Sequence, residues 1–434
     1  MARDVELIVD HIGQLCTIPS HEGPQRGRDL GDLGLIADAA IAIQHGEVAA
    51  VGRRDAILDA YTGSQTIDVG GRLVTPGLVD PHTHLVWGGD RAEEFEMRLA
   101  GATYQEIMAA GGGINRTVRQ TRAASIDSLV AAAKARLDGM LHNGTTTVEC
   151  KTGYGLDVQT EITMLDTIAR LNAEHPIDLV PTFLGAHAIP PEYADRPEDY
   201  VKLLVTTMIP AVARWKELHW PGILYGDVFC EEGAFTLAQS RRILEAERRA
   251  GMRLRVHVDE FASLGGTALA VEMSATTADH LLVTTPADVE RLGKSDTIAV
   301  LLPATPFGLG IKNTAPAREL IAAGTAIAIA TDCNPGTAWC ESMPMVLALA
   351  TRQLGLTPAQ ALAAATVNAA YAVDRGDRIG SLAAGKAADL VIWDVPDYRH
   401  LSYRFGSNLA WKVIKAGRVV SPISPVPHTD TLHG

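Results

Sequence analysis

The chain has 434 residues and a formal net charge of −13, from 38 Lys and Arg against 51 Asp and Glu. With no Lys/Arg-rich stripe to face phosphates, this balance argues against a nucleic-acid partner. No apolar stretch approaches the ~20 residues of a membrane span. The start, Met1-Ala2-Arg3-Asp4-Val5-Glu6, lacks the basic-then-apolar shape of a signal peptide. Five cysteines (Cys16, Cys150, Cys230, Cys333, Cys340) are scattered and odd in number, so they make no disulfide framework, and a reduced, cytoplasmic protein is the simplest reading.

In chain order, the first 72 residues carry strand-like runs with turn signals at Ala39–Gln44, Val48–Val51 and Gln65–Val69. An apolar run from Pro76 then ends in His82-Thr83-His84. Seven further short apolar stretches follow: Thr145–Lys151, Asp178–His187, Asp227–Glu231, Leu254–Glu260, Thr276–His280, Ile298–Leu302 and Ala326–Asp332. Between them lie helical patterns such as Ser125–Leu141 and Thr236–Ala250, apolar on one face and charged on the other. Eight strands alternating with helices predict an α/β fold, a (β/α)8 TIM-like barrel over residues 73–377. From 378 the pattern turns β-rich again, through Leu390–Trp393, Trp411–Ile414 and Arg418–Val420. Residues 1–72 and 378–434 are expected to meet in one small β domain beside the barrel.

The strand ends predict the chemistry. Residues i and i+2 of an extended chain share a face, so His82 and His84 can reach one metal ion from one side. A barrel's active site sits at the C-terminal ends of its strands. There the chain sets His82 and His84 on strand one, His187 on strand three and His257 with Glu260 on strand five. Strand six ends in His280 and strand eight in Asp332.

The run Pro76–His84 resembles the first-strand motif of the metal-dependent amidohydrolases. Asp80-Pro81-His82-Thr83-His84-Leu85-Val86-Trp87-Gly88-Gly89-Asp90-Arg91-Ala92-Glu93-Glu94-Phe95-Glu96-Met97-Arg98 and Gly101-Ala102-Thr103-Tyr104-Gln105-Glu106-Ile107 sharpen the likeness, followed by Gly111–Gly113 and Ile114. Further on stand Glu149-Cys150-Lys151-Thr152-Gly153-Tyr154-Gly155-Leu156, Thr182–His187, His257-Val258-Asp259-Glu260, Ala278-Asp279-His280 and Thr331-Asp332-Cys333-Asn334-Pro335-Gly336. Together, from about 73 to 375, these are similar to the imidazolonepropionase family.

That resemblance implies hydrolysis of 4-imidazolone-5-propanoate to N-formimidoyl-L-glutamate in histidine degradation. It implies one metal ion, zinc or iron, held by His82, His84, His257 and Asp332. Arg91, Tyr154 and His187 would contact the substrate, Glu260 and His280 would sit at the reacting ring, and Asn334, Gly336 and Thr337 would line the far side. Thr337 departs mildly from the Ser common in the family and keeps the hydroxyl. The stretch Leu302–Gly310 matches less clearly and lends no residue. A homodimer acting on a small molecule is the expected assembly.

The residue chemistry agrees. Three imidazoles and a carboxylate suit a borderline divalent ion and leave room for water, whose pKa the ion would lower towards ~7. Asp332 can move the water's proton to the leaving nitrogen, and His280 can steady the carbonyl oxygen. Glu260 can hold a ring N–H, Arg91 offers a bidentate fork for the propanoate arm, and Tyr154 can add a hydroxyl donor. Three alternatives stay open at this point. An aromatic deaminase would use a similar site. A two-metal cyclic-amide hydrolase would need a bridging ligand, for which Glu231 on strand four is the candidate and Lys151 stands on strand two. A barrel that had become a binding scaffold should have lost its ligands.

Overall fold

The computed structural model describes residues 2–102, 106 and 111–422. The Gly101–Ile107 motif therefore lies mostly outside the described residues, as does the chain beyond 422.

Two eight-stranded sheets organise the chain. The first joins both chain ends: β1 (Arg3–Cys16), β2 (Leu35–Gln44), β3 (Glu47–Arg53), β4 (Tyr61–Asp68) and β5 (Leu73–Pro76) pair with three strands from beyond residue 389. β1 is antiparallel to β2 but parallel to β4 and β5. Its inward side chains, with Ile41, Ile43, Val74 and Ile392, form an apolar core separate from the barrel's. Leu73–Pro76 pairs in this sheet, and the barrel's own first strand begins at Leu78.

The second sheet is the barrel, in the order β6 (Leu78–Asp80), β7 (Thr145–Lys151), β8 (Asp178–Ala186), β9 (Tyr225–Cys230), β10 (Arg253–Val258), β11 (Thr277–His280), β12 (Ile298–Leu301) and β13 (Ile327–Ile329). Every ladder within it is parallel, with helices covering the outside, so nearly every strand residue is buried. The two helices read from sequence form with their expected first residues as caps. Ser125 caps Ile126–His142, and Thr236 with Gln239 makes a capping box on Leu237–Arg249. The remaining strands, β14 (Leu390–Trp393), β15 (Ala410–Lys415) and β16 (Arg418–Pro422), return to the first sheet. No helix among the described residues is long and apolar enough to cross a membrane.

The barrel closes without a regular ladder between β6 and β13. Instead the segments just past those strands join: Asp332 N–H donates to the His82 carbonyl at 3.1 Å and His84 N–H to the Cys333 carbonyl at 3.0 Å. Thr83 bridges Cys333, and the Asp80 carboxylate accepts the Thr331 N–H and hydroxyl.

Candidate active site and metal centre

The strand-end histidines converge as the barrel geometry demands. His82 Nε2 and His84 Nε2 lie 3.4 and 3.5 Å from Asp332 Oδ1, and His257 Nε2 lies 3.5 Å from His84 Nε2. Two overlapping groups have donor atoms close enough for one ion: His82, His84 and Asp332, and His82, His257 and His280. All five residues are buried.

Hydrogen bonding settles which nitrogens face inward. His82 Nδ1 lies 2.6 Å from an Asp279 carboxylate oxygen, and His257 Nδ1 lies 3.0 Å from Asp227. A carboxylate partner makes each Nδ1 the N–H, which leaves Nε2 as a lone pair. The result is lone pair against lone pair. His82 Nε2, His280 Nδ1 and Asp332 Oδ1 are buried with no hydrogen-bond partner among the described residues. Buried acceptors converging without a donor are costly; a cation removes that cost, so the donor set fits a borderline divalent ion.

Burial drives the protonation states. It pushes the Asp332 carboxyl up to about 6, opposed by the Thr305 hydroxyl that donates to it. Burial, then the neighbouring Asp332 and Glu231, hold Glu260 well above the usual carboxylate range. His82, His84 and His280 are held well below the usual imidazole value by burial first, and His187 is brought down to about 3. His82, His84, His187 and His280 are therefore favoured in their neutral form. At the same place Asp259, His280 and Asp332 all take positive φ (54°, 80° and 52°), a region non-glycine residues seldom adopt.

The expected substrate residues occupy one side of this centre. His187 stacks on His84 with ring centroids 4.9 Å apart, and Tyr154 lies 5.3 Å from His187 and 5.8 Å from His84. His187 Nδ1 meets the Gly153 carbonyl at 3.0 Å. The glycines around Tyr154 serve a neighbour within the chain. A Cβ on Gly153 would come within 3.1 Å of His187 Nδ1, and the Glu161 carboxylate accepts the N–H groups of Gly153, Gly155 and Leu156.

Arg91 is fixed by Glu94, whose Oε2 accepts from Arg91 Nε at 2.8 Å and from Gly113 N–H at 3.0 Å. Its other edge presses on Gly336, where an added Cβ would meet Nη1 at 2.4 Å. Asn334 shapes its own turn, accepting the N–H groups of Gly336 and Thr337 and donating to the Asp332 carbonyl and the Thr337 hydroxyl. A cavity of about 430 Å3 adjoins, lined by Arg91, Arg98, Phe307, Gly336, Thr337 and Trp339. It borders the candidate substrate residues rather than the imidazoles. His280 Nε2 and Glu260 Oε2 are 3.7 Å apart across the centre.

Glu231 spends its oxygens on two backbone N–H groups, those of Glu232 at 2.9 Å and Phe261 at 3.0 Å; it braces the segment that carries Glu260. Sequence reasoning missed the layer beneath the ligands, namely Glu149, Lys151, Asp227, Arg255 and Asp279, each without exposed surface. It missed Thr305 and Glu94 as well. The available signal was charge at alternating positions of otherwise apolar strands, Glu149 with Lys151 and Arg255 with His257.

Comparisons with known proteins agree with this geometry. The Amidohydrolase family model matches residues 73–420. An imidazolonepropionase of Herpetosiphon aurantiacus is 55% identical over 95% of this chain and 96% of its own length. That of Chloroflexus aggregans is 50% identical over 96% and 98%. Among solved structures, an adenosine deaminase from Xanthomonas campestris with bound Zn has a TM-score of 0.69 at 20% identity, covering 96% of this chain and 93% of that one. E. coli guanine deaminase has the same TM-score at 16% identity, covering 96% and 99%; at such identities the likeness speaks for the fold. From its barrel, its family match and its near-full-length relatives, the chain belongs to the amidohydrolase family, among the imidazolonepropionases.

Proposed function

We propose that this site opens the ring of 4-imidazolone-5-propanoate to N-formimidoyl-L-glutamate around a single zinc or iron ion. The broader class follows from the family: the chain is a hydrolase of carbon–nitrogen bonds in cyclic amides, an enzyme of histidine degradation. The observation that carries the finer reading is the set of buried, partnerless acceptors, His82 Nε2, Asp332 Oδ1 and His280 Nδ1, beside a fixed arginine.

His82, His84, His257 and Asp332 would hold the ion, which when bound would supply Lewis acidity and lower the pKa of a nearby water. Asp332 takes the proton of the attacking water and returns it to the ring nitrogen as the C–N bond breaks. His280 steadies the carbonyl oxygen as negative charge develops. Glu260 binds a ring N–H. Arg91, held along one edge by Glu94, offers its free edge to the propanoate carboxylate, and Tyr154 adds its hydroxyl. His187, neutral, packs against the ring side, while Asn334, Gly336 and Thr337 form the opposite wall. One ion rather than two is our reading: Glu231, the candidate bridge, accepts the N–H groups of Glu232 and Phe261, and the Lys151 ammonium lies between carboxylates. The enzyme acts in the cytoplasm as a homodimer.

The test is loss of imidazolonepropanoate absorbance with metal-loaded protein and a chelated control, using substrate made fresh from urocanate. Chelator-sensitive formation of formimidoylglutamate is the expected result. Protein with about one ion per chain but no ring opening overturns the substrate and turns attention to deamination of aromatic rings.

A further inference from the structure

Four strands bring a buried charge cluster under the imidazoles. Lys151 Nζ on β7 lies 2.9 Å from Glu149 Oε1, 2.9 Å from Asp227 Oδ2 on β9 and 3.9 Å from Asp279 Oδ2 on β11. Asp227 holds His257 Nδ1 and Asp279 holds His82 Nδ1. Arg255 on β10 stands 3.8 Å from the same Asp279 oxygen, but its own hydrogen bonds go to the Pro81 and Ala372 carbonyls. The ammonium faces both histidine-bearing carboxylates and hydrogen-bonds Asp227, while Arg255 adds a second positive charge near Asp279.

We propose that Lys151 is a positioning residue for the metal site, one cation that fixes both Asp–His pairs at once. Lys151 Nζ donates to Asp227 Oδ2 at 2.9 Å and stands 3.9 Å from the Asp279 oxygen that faces His82 Nδ1. One cation thus draws both carboxylates to the same point and holds each against the Nδ1–H of its histidine. Coupling follows from the sharing: the aim of His82 Nε2 and that of His257 Nε2 depend on one group, although the two histidines are 175 residues apart in sequence. The lysine touches neither the ion's donors nor the substrate side. This rests on reading His82, His84, His257 and Asp332 as the ion's holders.

The experiment titrates metal-stripped full-length protein with Co2+, following affinity by chelator competition together with the visible spectrum, and records the melting curve of the metal-free form. Lys151→Gln is expected to weaken Co2+ binding by about 10–100-fold, the range for residues that orient metal-bound histidines, and to alter the Co2+ absorption. Because a lone Lys151→Gln leaves buried carboxylates uncompensated, the charge-balanced pair Glu149→Gln with Lys151→Gln is measured as well. It keeps Asp227 and Asp279 and is expected to show the same loss. Affinity within threefold of the parent and an unchanged spectrum in the balanced pair would overturn the proposal. An affinity loss matched by an equal one in Glu149→Gln alone would overturn it too, making the cluster a packing feature. His257→Ala serves as the control: if it binds Co2+ like the parent, the ligand assignment itself fails, and the lysine's role with it.

Discussion

The small sheet and the barrel rim solve opposite problems within one chain. The sheet buries Leu7, Val9, Ile12, Ile41, Ile392 and Ile414 against one another, so its stability is apolar area removed from water. The rim buries three carboxylates and two cations under a ring of histidines, an arrangement that stabilises little and costs desolvation. What it yields is direction, with lone pairs held where a cation and a substrate need them. Stability sits in one region and chemistry in the other, so substitutions should separate the two cleanly.

The largest separation is expected from Asp332→Ala. Steady-state assays should show kcat falling by about 10³-fold or more, since one group serves as ligand and proton carrier, with less metal retained on dialysis. The opposite corner is Ile392→Ala in the small sheet. Urea unfolding should report a loss of about 2–5 kcal/mol, while kcat of the folded enzyme stays at the parent value; a parallel fall in kcat would break the contrast. Arg91→Ala should raise KM and lower kcat/KM about 10–100-fold, the scale of one charge-assisted contact. An unchanged kcat/KM would remove Arg91 from carboxylate binding and leave it as the partner of Glu94.

The smallest effect belongs to Asp397, between Gln14 and Arg399 at the sheet's edge. The Arg399 guanidinium holds its carboxyl down at about 2, below the ordinary 3.8. A folded value below the unfolded one stabilises fully above the unfolded value and is lost as pH falls through the folded one. The gap in urea midpoint between the parent and Asp397→Asn should therefore be constant near neutrality and close as pH drops from 3.8 towards 2.

The barrel and its polar strand ends were legible in the sequence for a simple reason. Strands with both faces buried read as apolar runs, and a histidine or acid that ends such a run stands out; His82, His84, His257, His280 and Asp332 were found that way. Boundaries were less legible. The run ending in His84 contributes only Leu78–Asp80 as regular strand, because the backbone beyond turns to meet the segment after β13. β1 escaped notice since its charges, Arg3, Asp4, Glu6 and Asp10, interrupt the apolar pattern at irregular steps. The lysine cluster was invisible for a deeper reason. Glu149, Lys151 and Arg255 alternate with apolar residues as on a half-exposed strand, and only the closed barrel shows that their partners, 2 to 174 residues away, leave no side facing water. Arg91 was read as a free clamp because nothing in Asp90–Glu94 tells which acid would hold it.

The irregular seam between β6 and β13 ties completion of the site to the order of synthesis. His82 and His84 leave the ribosome some 250 residues before Asp332, and the seam that sets their spacing consists of backbone bonds to Asp332 and Cys333. A nascent chain ending at His280 owns every imidazole of the centre yet has neither its carboxylate nor its last two strands. The group of His82, His84 and Asp332 is thus completed late, once the ring has shut.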